Sequence, residues 1–285
     1  MKKLLTVLLF ALSASVMAQT YSKDLEKSAK NGDVAAQRDL GISYLYGNGT
    51  KVDYDKAYEW LMRAAVNNDG TAQYHLGVMC EDSYVQKVKA FDNRPSPEKD
   101  ICSKIGCEPD VDGRNYHTIY MQAYKNGSKD APRKVSEYYK KMDMPGYAMI
   151  WLKRAAETGD KDSQFEYAKM LYAGVNTGNS PMNMIVKELI LPIKESYSKG
   201  AISKDKIDSM FTEEGFKSTF PPMKDNVEIM QIFLSAKDFV ECDVQDSNDV
   251  FSFWKMEAKK WFEKAAAQGH VEAKDYLERL VADGF

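Results

Sequence analysis

The sequence has few of the features that mark an enzyme or a metalloprotein. It contains no Gly-x-Ser-x-Gly motif and no glycine-rich phosphate loop. Its three histidines, His75, His117 and His270, are far apart, and none neighbours a Cys-x-x-Cys pair, so the common zinc spacings are excluded. We therefore expect no catalytic residue, no metal site and no cofactor.

Charge and long apolar runs are also scarce. The formal net charge is -3, and it becomes -5 without Lys2 and Lys3, which gives no electrostatic basis for binding nucleic acid. After residue 18 the richest apolar run, at 184–193, is interrupted by two charged residues and a proline, so we expect no membrane span there. With 44% hydrophobic residues, the chain can still bury a substantial core.

The first eighteen residues, MKKLLTVLLFALSASVMA, have the composition of a secretory signal peptide. Two lysines precede a short apolar run, and small residues lead up to Ala18. We expect cleavage near Ala18 and export of the chain to the periplasm or the medium. An uncleaved membrane anchor is the alternative.

Internal similarity organises the remainder of the chain. A set of one small residue, one leucine and one glycine occurs twice, 36 residues apart: Ala36, Leu40, Gly41 and Ala72, Leu76, Gly77. Each set shares one face of a helix, and its small residues allow another helix to approach closely. The segment GNGTKVDYD at 47–55 supplies glycines that end the helix and an aspartate, Asp53 or Asp55, that caps the next. The pattern predicts a helical hairpin.

The sequence pattern of the second helix of this hairpin occurs three times in the chain. AYEWLMRAA at 57–65, AMIWLKRAA at 148–156 and AKKWFEKAA at 258–266 share one spacing, and a worn copy at 119–131 has Ile119 and Tyr120 in place of Trp-Leu. The starts at 57, 148 and 258 are not separated by multiples of 36. Insertions must therefore lie between the copies.

The order Ala, Leu-Gly, Tyr, Gly-x-Gly, Asp, Lys-Ala, Trp-Leu, Ala-Ala, Ala, Leu-Gly over residues 36–77 resembles the SEL-1-like repeat, a relative of the tetratricopeptide repeat. The match is partial at 151–174 and 261–280. The resemblance implies an all-α fold, a right-handed α-solenoid of helix-turn-helix repeats with irregular insertions. It also implies an adaptor role.

From these patterns we expect a signal peptide at 1–18 followed by one solenoid at 19–285. Clear repeats are expected at about 33–82, 116–174 and 254–283. Insertions are expected at about 83–115 and 175–250, the second long enough to hold helices of its own.

Four cysteines, Cys80, Cys102, Cys107 and Cys242, allow three full pairings in an oxidising compartment. Successive solenoid helices lie roughly 10 Å apart, so Cys80 and Cys242 should be too distant to bond. We expect a local Cys102–Cys107 disulfide. A bond from Cys80 to one of these two, or four reduced cysteines, are the alternatives.

The first helix of each repeat offers a candidate binding surface. Positions two and six after its small residue lie at about 200° and 240° around the helix, away from the packed face. These positions hold Arg38, Ile42, Tyr74, Val78, Arg133, Glu137, Phe165 and Lys169. Arginine and aromatic residues are enriched at binding hot spots, so the row is a candidate protein-binding strip. An ordinary solvent face, or one partly buried under the insertions, is the alternative.

The leading hypothesis is a monomeric, non-enzymatic scaffold that binds a protein or peptide partner on a concave helical surface in the periplasm or outside the cell. The alternative is a cell-envelope enzyme or cell-wall-binding protein whose site lies in the inserted segments.

Overall fold

A computed structural model describes residues 20–92, 97–107, 116–176, 186–224, 229–230, 233–234, 236–241, 250–282 and 284. The expected signal peptide and Cys242 lie outside these residues. The chain forms two compact units, unit 1 (Met1–Val135) and unit 2 (Ser136–Phe285). The described residues are helices joined by turns, without a strand, and the predicted all-α repeat fold is confirmed.

In the part of unit 1 that the structure describes, there are six helices and the start of a seventh. They are α1 Lys23–Lys30, α2 Val34–Tyr46, α3 Tyr54–Ala65, α4 Gly70–Glu81, α5 Pro97–Ile105, α6 Tyr116–Lys125 and α7 Ala131–Lys141. Two short 3-10 turns, Tyr84–Lys87 and Lys89–Phe91, connect α4 to the segment before α5.

Aspartates begin three of these helices. The side chains of Asp33, Asp53 and Asp69 accept hydrogen bonds from the backbone N–H three residues ahead, at 2.9, 3.0 and 2.8 Å. These bonds satisfy N–H groups that have no partner within the helix. At the other end of α2, Gly47 adopts a left-handed conformation with φ 75°. The expected glycine stop is therefore present, and Asp53 rather than Asp55 is the cap.

The α2–α3 hairpin depends on the absence of a side chain at Gly41. A Cβ atom there would lie 2.7 Å from Cγ of Leu61 and 2.9 Å from its backbone nitrogen. The predicted inner stripe of α3 is buried: Ala57, Trp60, Leu61, Ala64 and Ala65. The two helices thus pack as the repeated sequence predicts.

The first insertion lies inside the second hairpin. Helix α4 packs extensively on α6, although residues 82–115 separate them in sequence. A Cβ atom on Gly77 would lie 2.6 Å from the ring of Tyr120. Ile119, Tyr120 and Ala123 of α6 are fully buried. The worn copy at 119–131 is therefore the second helix of a repeat that begins with α4.

Residues of this insertion cover a flank of α3. The rings of Tyr54 and Tyr84 stack at 4.9 Å, and Phe91 meets Tyr58 edge-on at the same separation. The backbone N–H of Lys89 donates to the Asp55 carboxylate at 2.8 Å. The α3 side of the first hairpin is consequently covered by the segment that is inserted between the helices of the second hairpin.

Two of the cysteines are bonded. Cys102 and Cys107 form a disulfide with a Cα–Cα distance of 4.7 Å, while Cys80 is a buried free thiol. This is the local pairing expected from the sequence, for which a bond from Cys80 to one of the two was an alternative.

Unit 2 contains the remainder of α7 and eight further helices within the described residues. They are α8 Pro145–Glu157, α9 Lys161–Asn176, α10 Leu191–Ser198, α11 Lys204–Met210, α12 Glu213–Thr219, α13 Lys237–Glu241, α14 Val250–Ala267 and α15 Val271–Ala282. A π-helical turn, Val186–Ile190, leads into α10, and a 3-10 turn occupies Pro221–Met223.

The second insertion, like the first, lies between the two helices of a hairpin. Helix α9 packs extensively on α14, which follows the insertion. The insertion holds short helices with an aromatic core in which Phe211 and Phe233 stack at 4.3 Å. Both insertions thus replace the turn between the two helices of a hairpin and leave the hairpin itself intact.

A buried glutamine links successive hairpins. The side-chain amides of Gln37, Gln73 and Gln164 donate to the carbonyls of Ala29, Ala65 and Ala156, at 3.2, 2.9 and 3.1 Å. Each acceptor lies at the carboxyl end of the preceding helix, where carbonyls lack helical partners. The glutamine therefore holds the first helix of one hairpin against the carboxyl end of the helix that precedes it.

Candidate functional site

The candidate surface in unit 1 is the side of α2 and α4 that faces away from their partners α3 and α6. We call it the α2–α4 face and define it by Arg38, Ile42 and Tyr46 on α2 and by Tyr74 and His75 on α4. Leu40 and Leu76, on the opposite sides of these helices, are fully buried. Helical periodicity thus separates the core side from this surface.

Arg38 is held in place on this face by two carboxylates. Its Nε donates to Asp39 at 2.8 Å and its Nη1 to Asp69 at 3.1 Å. Asp69 is also the N-cap of α4, so the arginine ties α2 to the beginning of the next hairpin. Its side chain remains 27% exposed, and a guanidinium carries five N–H donors, of which these bonds use two.

Tyr46, His75 and Tyr74 form a continuous aromatic row beside Arg38. The Tyr46 hydroxyl lies 3.1 Å from Nδ1 of His75, and their ring centroids are 5.6 Å apart. His75 in turn meets Tyr74 edge-on at 5.1 Å. Tyr46 is 47% exposed, whereas the other two are half-buried. One end of the row is therefore open to a partner and the other is anchored.

The electrostatics of the row favour neutral side chains. Burial, together with the nearby Arg38 charge, lowers the pKa of His75 to about 4. Partial burial of Tyr46, with smaller contributions from nearby Tyr74 and Asp82, raises the pKa of Tyr46 to about 12. Both groups are uncharged at neutral pH, so the row acts as a polar aromatic surface next to one fixed cation.

A second network anchors the inner end of the row. Tyr74 contacts the ring of Tyr120 at 5.5 Å, and the Tyr120 hydroxyl donates to Glu81 at 2.8 Å. Lys134 reaches the same carboxylate at 3.0 Å. Burial and the Glu81 charge raise the pKa of Tyr120 well above its usual value. The network joins α4, α6 and the start of α7, which gives the aromatic row a rigid base.

Only some residues of the predicted protein-binding strip are accessible to solvent. Arg38, Ile42, Tyr74 and Arg133 in unit 1 are half-buried, as is Glu137 in unit 2, and Lys169 in unit 2 is exposed. These six residues keep some surface in reach of a partner.

Val78 and Phe165 do not face solvent, and that expectation is wrong. Val78 is 9% exposed because α4 packs against helices on several sides, which narrows the outward arc. Phe165 is 5% exposed because the ring of His270 stacks on it at 4.0 Å and Phe262 and Tyr276 close around it. Angular position on an isolated helix did not account for these neighbours.

Sequence reasoning missed Tyr46 and His75. Tyr46 lies ten residues after the small residue of its helix and His75 three residues after, at about 280° and 300° on the same helical wheel. The predicted strip used only the wheel positions at about 200° and 240°. A sector that extended to about 300° would have included both residues. His75 had been considered only as a zinc ligand.

The described residues show neither a metal-ligand cluster nor a membrane-spanning helix. Among the described residues, no three or more His, Cys, Asp or Glu side chains converge as a metal site would require. In the same part of the chain, no helix combines the length and the apolar character needed to span a bilayer.

Comparison with known proteins identifies the repeats. The Sel1 repeat family matches residues 34–69, 138–160 and 255–270, so the chain contains Sel1 repeats. The first match covers α2, α3 and the cap of α4. Sel1 repeat proteins generally mediate protein–protein interactions, and their fold is typically a non-catalytic scaffold.

Solved structures with similarity to the chain include two Sel1-type proteins. One is a Sel1 repeat protein from Oxalobacter formigenes, with 22% identity over 52% of this chain and a TM-score of 0.36. The other is a protective antigen present in uropathogenic Escherichia coli strains, displaying an SLR fold, with 18% identity over 94% of this chain and a TM-score of 0.41. The chain spans 53% and 60% of their lengths. No curated protein matches it.

Proposed function

We propose that the protein is an exported, non-catalytic scaffold that binds a protein or peptide segment on the α2–α4 face. The observation that carries the proposal is the row of Tyr46, His75 and Tyr74 beside Arg38, held by hydrogen bonds and ring contacts and open at Tyr46. Tyrosine and arginine dominate the energetics of protein interfaces. A surface that is already ordered loses little conformational entropy on binding.

The surroundings of this face support its use. The flank of α3 is covered by the first insertion, through contacts such as Tyr58 with Phe91. On the α2–α4 face, the residues that the structure describes leave Tyr46 47% exposed. A partner approaching the first hairpin therefore meets the aromatic row without displacing part of the protein.

Export is supported by two independent features. The N-terminal sequence has the charge and apolar pattern of a signal peptide, and Cys102 and Cys107 are disulfide-bonded, a state that persists mainly outside the reducing cytosol. Fractionation of producing cells tests this part of the proposal: an unprocessed N-terminus on a cytosolic protein would contradict it.

The binding face is tested by site-specific crosslinking in producing cells. A photoreactive amino acid replaces Tyr46 in one protein and Val52 in another. Val52 is a matched control because it is 49% exposed, close to the 47% of Tyr46, but lies in the turn before α3. We expect a discrete crosslinked partner from position 46 and none from position 52. Equal products from both positions, or none from either, would contradict the assignment of the face.

A further inference from the structure

Three of the four cysteines lie in one apolar region of unit 1. Cys80 on α4 is 6% exposed and Cys102 on α5 is 1% exposed, and both belong to the same buried cluster. Cys107, just after α5, is half-buried and packs against that cluster. A free thiol and a disulfide therefore belong to the same hydrophobic core, and exchange between such groups proceeds by attack of the thiolate on one of the two bonded sulfurs.

Helix α4, which carries Cys80, is in contact with α5, which carries Cys102. Glu98 lies four residues before Cys102, hence one turn away on the same face of α5. The Glu98 carboxylate is near enough to Cys80 to add to the effect of burial, and together they raise the pKa of that thiol. Cys102 is therefore one helical turn from a residue whose charge acts on Cys80.

We propose that Cys80 is an exchange partner for the Cys102–Cys107 disulfide. The Cys80 thiolate attacks Sγ of Cys102, and a Cys80–Cys102 bond forms as the Cys102–Cys107 bond breaks. The electron pair of the broken bond leaves on the sulfur of Cys107, which takes up the proton that Cys80 lost. One disulfide and one thiol are present before and after, so neither an oxidant nor a reductant is consumed.

The environments of the three sulfurs favour this direction of attack. Cys107 is the most exposed of them, so the departing thiolate is the best solvated. Burial of Cys80 keeps it protonated in the resting protein. Exchange therefore requires a local opening of α5. A partner or a condition that loosens the first insertion would trigger the exchange.

The two disulfide forms constrain the molecule differently. The Cys102–Cys107 bond closes a short loop at the end of α5, next to the Thr118 hydroxyl, which lies 3.2 Å from Sγ of Cys102. A Cys80–Cys102 bond joins α4 to α5 and closes a longer loop, which constrains the unfolded chain more strongly. It also fastens the first insertion, the segment that covers the flank of α3, to the repeat stack.

Peptide mapping of the full chain with Cys242→Ser tests the exchange. The protein is held at about pH 8.5, where more thiolate is present, in a urea concentration below its unfolding transition, and thiols are trapped with N-ethylmaleimide. We expect a Cys80–Cys102 peptide pair that grows with time while the label shifts from Cys80 to Cys107. A constant Cys102–Cys107 pair with label on Cys80 at every time point would overturn the proposal. Cys80→Ser is the control and should retain the original bond.

A second variant, Cys107→Ser in the same Cys242→Ser background, removes the competing bond. In a glutathione redox buffer we expect Cys80 and Cys102 to form a disulfide while the far-ultraviolet circular dichroism stays native. Two free or glutathionylated thiols in a natively folded protein would show that the sulfurs cannot meet, and the proposal would fail.

Discussion

The first two hairpins of unit 1 use the same helix pairing with very different connections. Helices α2 and α3 are joined by the short segment 47–53, whereas α4 and α6 are separated by residues 82–115, which contain α5 and the disulfide. Both pairs nevertheless meet at an equivalent glycine, Gly41 under Leu61 and Gly77 under Tyr120. The inner residues of the helices therefore define the hairpin, and the connection can carry additional structure.

The largest expected effect comes from filling the two glycine positions. Gly41→Val and Gly77→Val each introduce a branched side chain where a single Cβ is already too close, and we expect each to lower the free energy of unfolding by about 3 kcal/mol. Urea denaturation measures this loss. The control, Ala35→Val on the exposed side of α2, should cost no more than about 0.7 kcal/mol, the helix-propensity difference between alanine and valine. A well-tolerated Gly77→Val alone would mean that the second hairpin is not packed like the first.

The linking glutamines should differ between the two hairpins. The oxygen of Gln73 accepts a hydrogen bond from Asn126 at 2.9 Å, whereas the buried Oε1 of Gln37 has no hydrogen-bond partner among the described residues. Gln73→Ala should therefore cost about 1 kcal/mol more than Gln37→Ala, because it also leaves Asn126 without its acceptor. Parallel urea titrations of the two variants provide the comparison. Equal losses would show that the Asn126 bond adds nothing.

Equivalent positions on the α2–α4 face carry different groups, and the one on α4 makes stability depend on pH. Asp39 on α2 pairs with Arg38, while the corresponding position on α4 is His75. The pKa of His75 is lowered from 6.5 to about 4 in the folded protein, so the unfolded chain binds this proton first and stability falls as the pH drops from 6.5 towards 4. Between pH 6.5 and 4 we expect the free energy of unfolding of His75→Gln to fall by about 1 kcal/mol less than that of the parent. This figure is reduced for the screening of a partly exposed side chain by solvent. Unfolding titrations at several pH values measure the difference, and identical pH profiles would contradict it.

Much of the fold was predictable because the residues that build a hairpin are local. Gly47 ends α2, Asp53 caps α3 and the Trp60–Leu61 stripe packs inward, as the spacing indicates. The worn copy around Ile119 and Tyr120 was also recognised. Its pairing with α4 was not, because the spacing of residues along a chain does not reveal which helices meet across an insertion.

The candidate site was less predictable. Arg38 and Tyr74 lie on the surface that helical periodicity indicates, but Phe165 is covered by residues far away in sequence, among them His270. Exposure depends on such distant neighbours, and a helical wheel contains no information about them. Tyr46 and His75 are close to each other only because α2 and α4 lie side by side, a consequence of the repeat packing.

The most direct test of the central structural claim, that α4 and α6 form one hairpin across the insertion, is a double-mutant cycle at their contact. The free energy of unfolding is measured for the parent, Gly77→Ala, Tyr120→Leu and the double variant. If the Tyr120 ring lies over Gly77, Gly77→Ala should be destabilising in the parent and nearly neutral or stabilising once the ring is removed, since alanine is otherwise the better helix former. We expect a coupling energy of about 1 kcal/mol or more, and additivity within about 0.3 kcal/mol would contradict the pairing of α4 with α6.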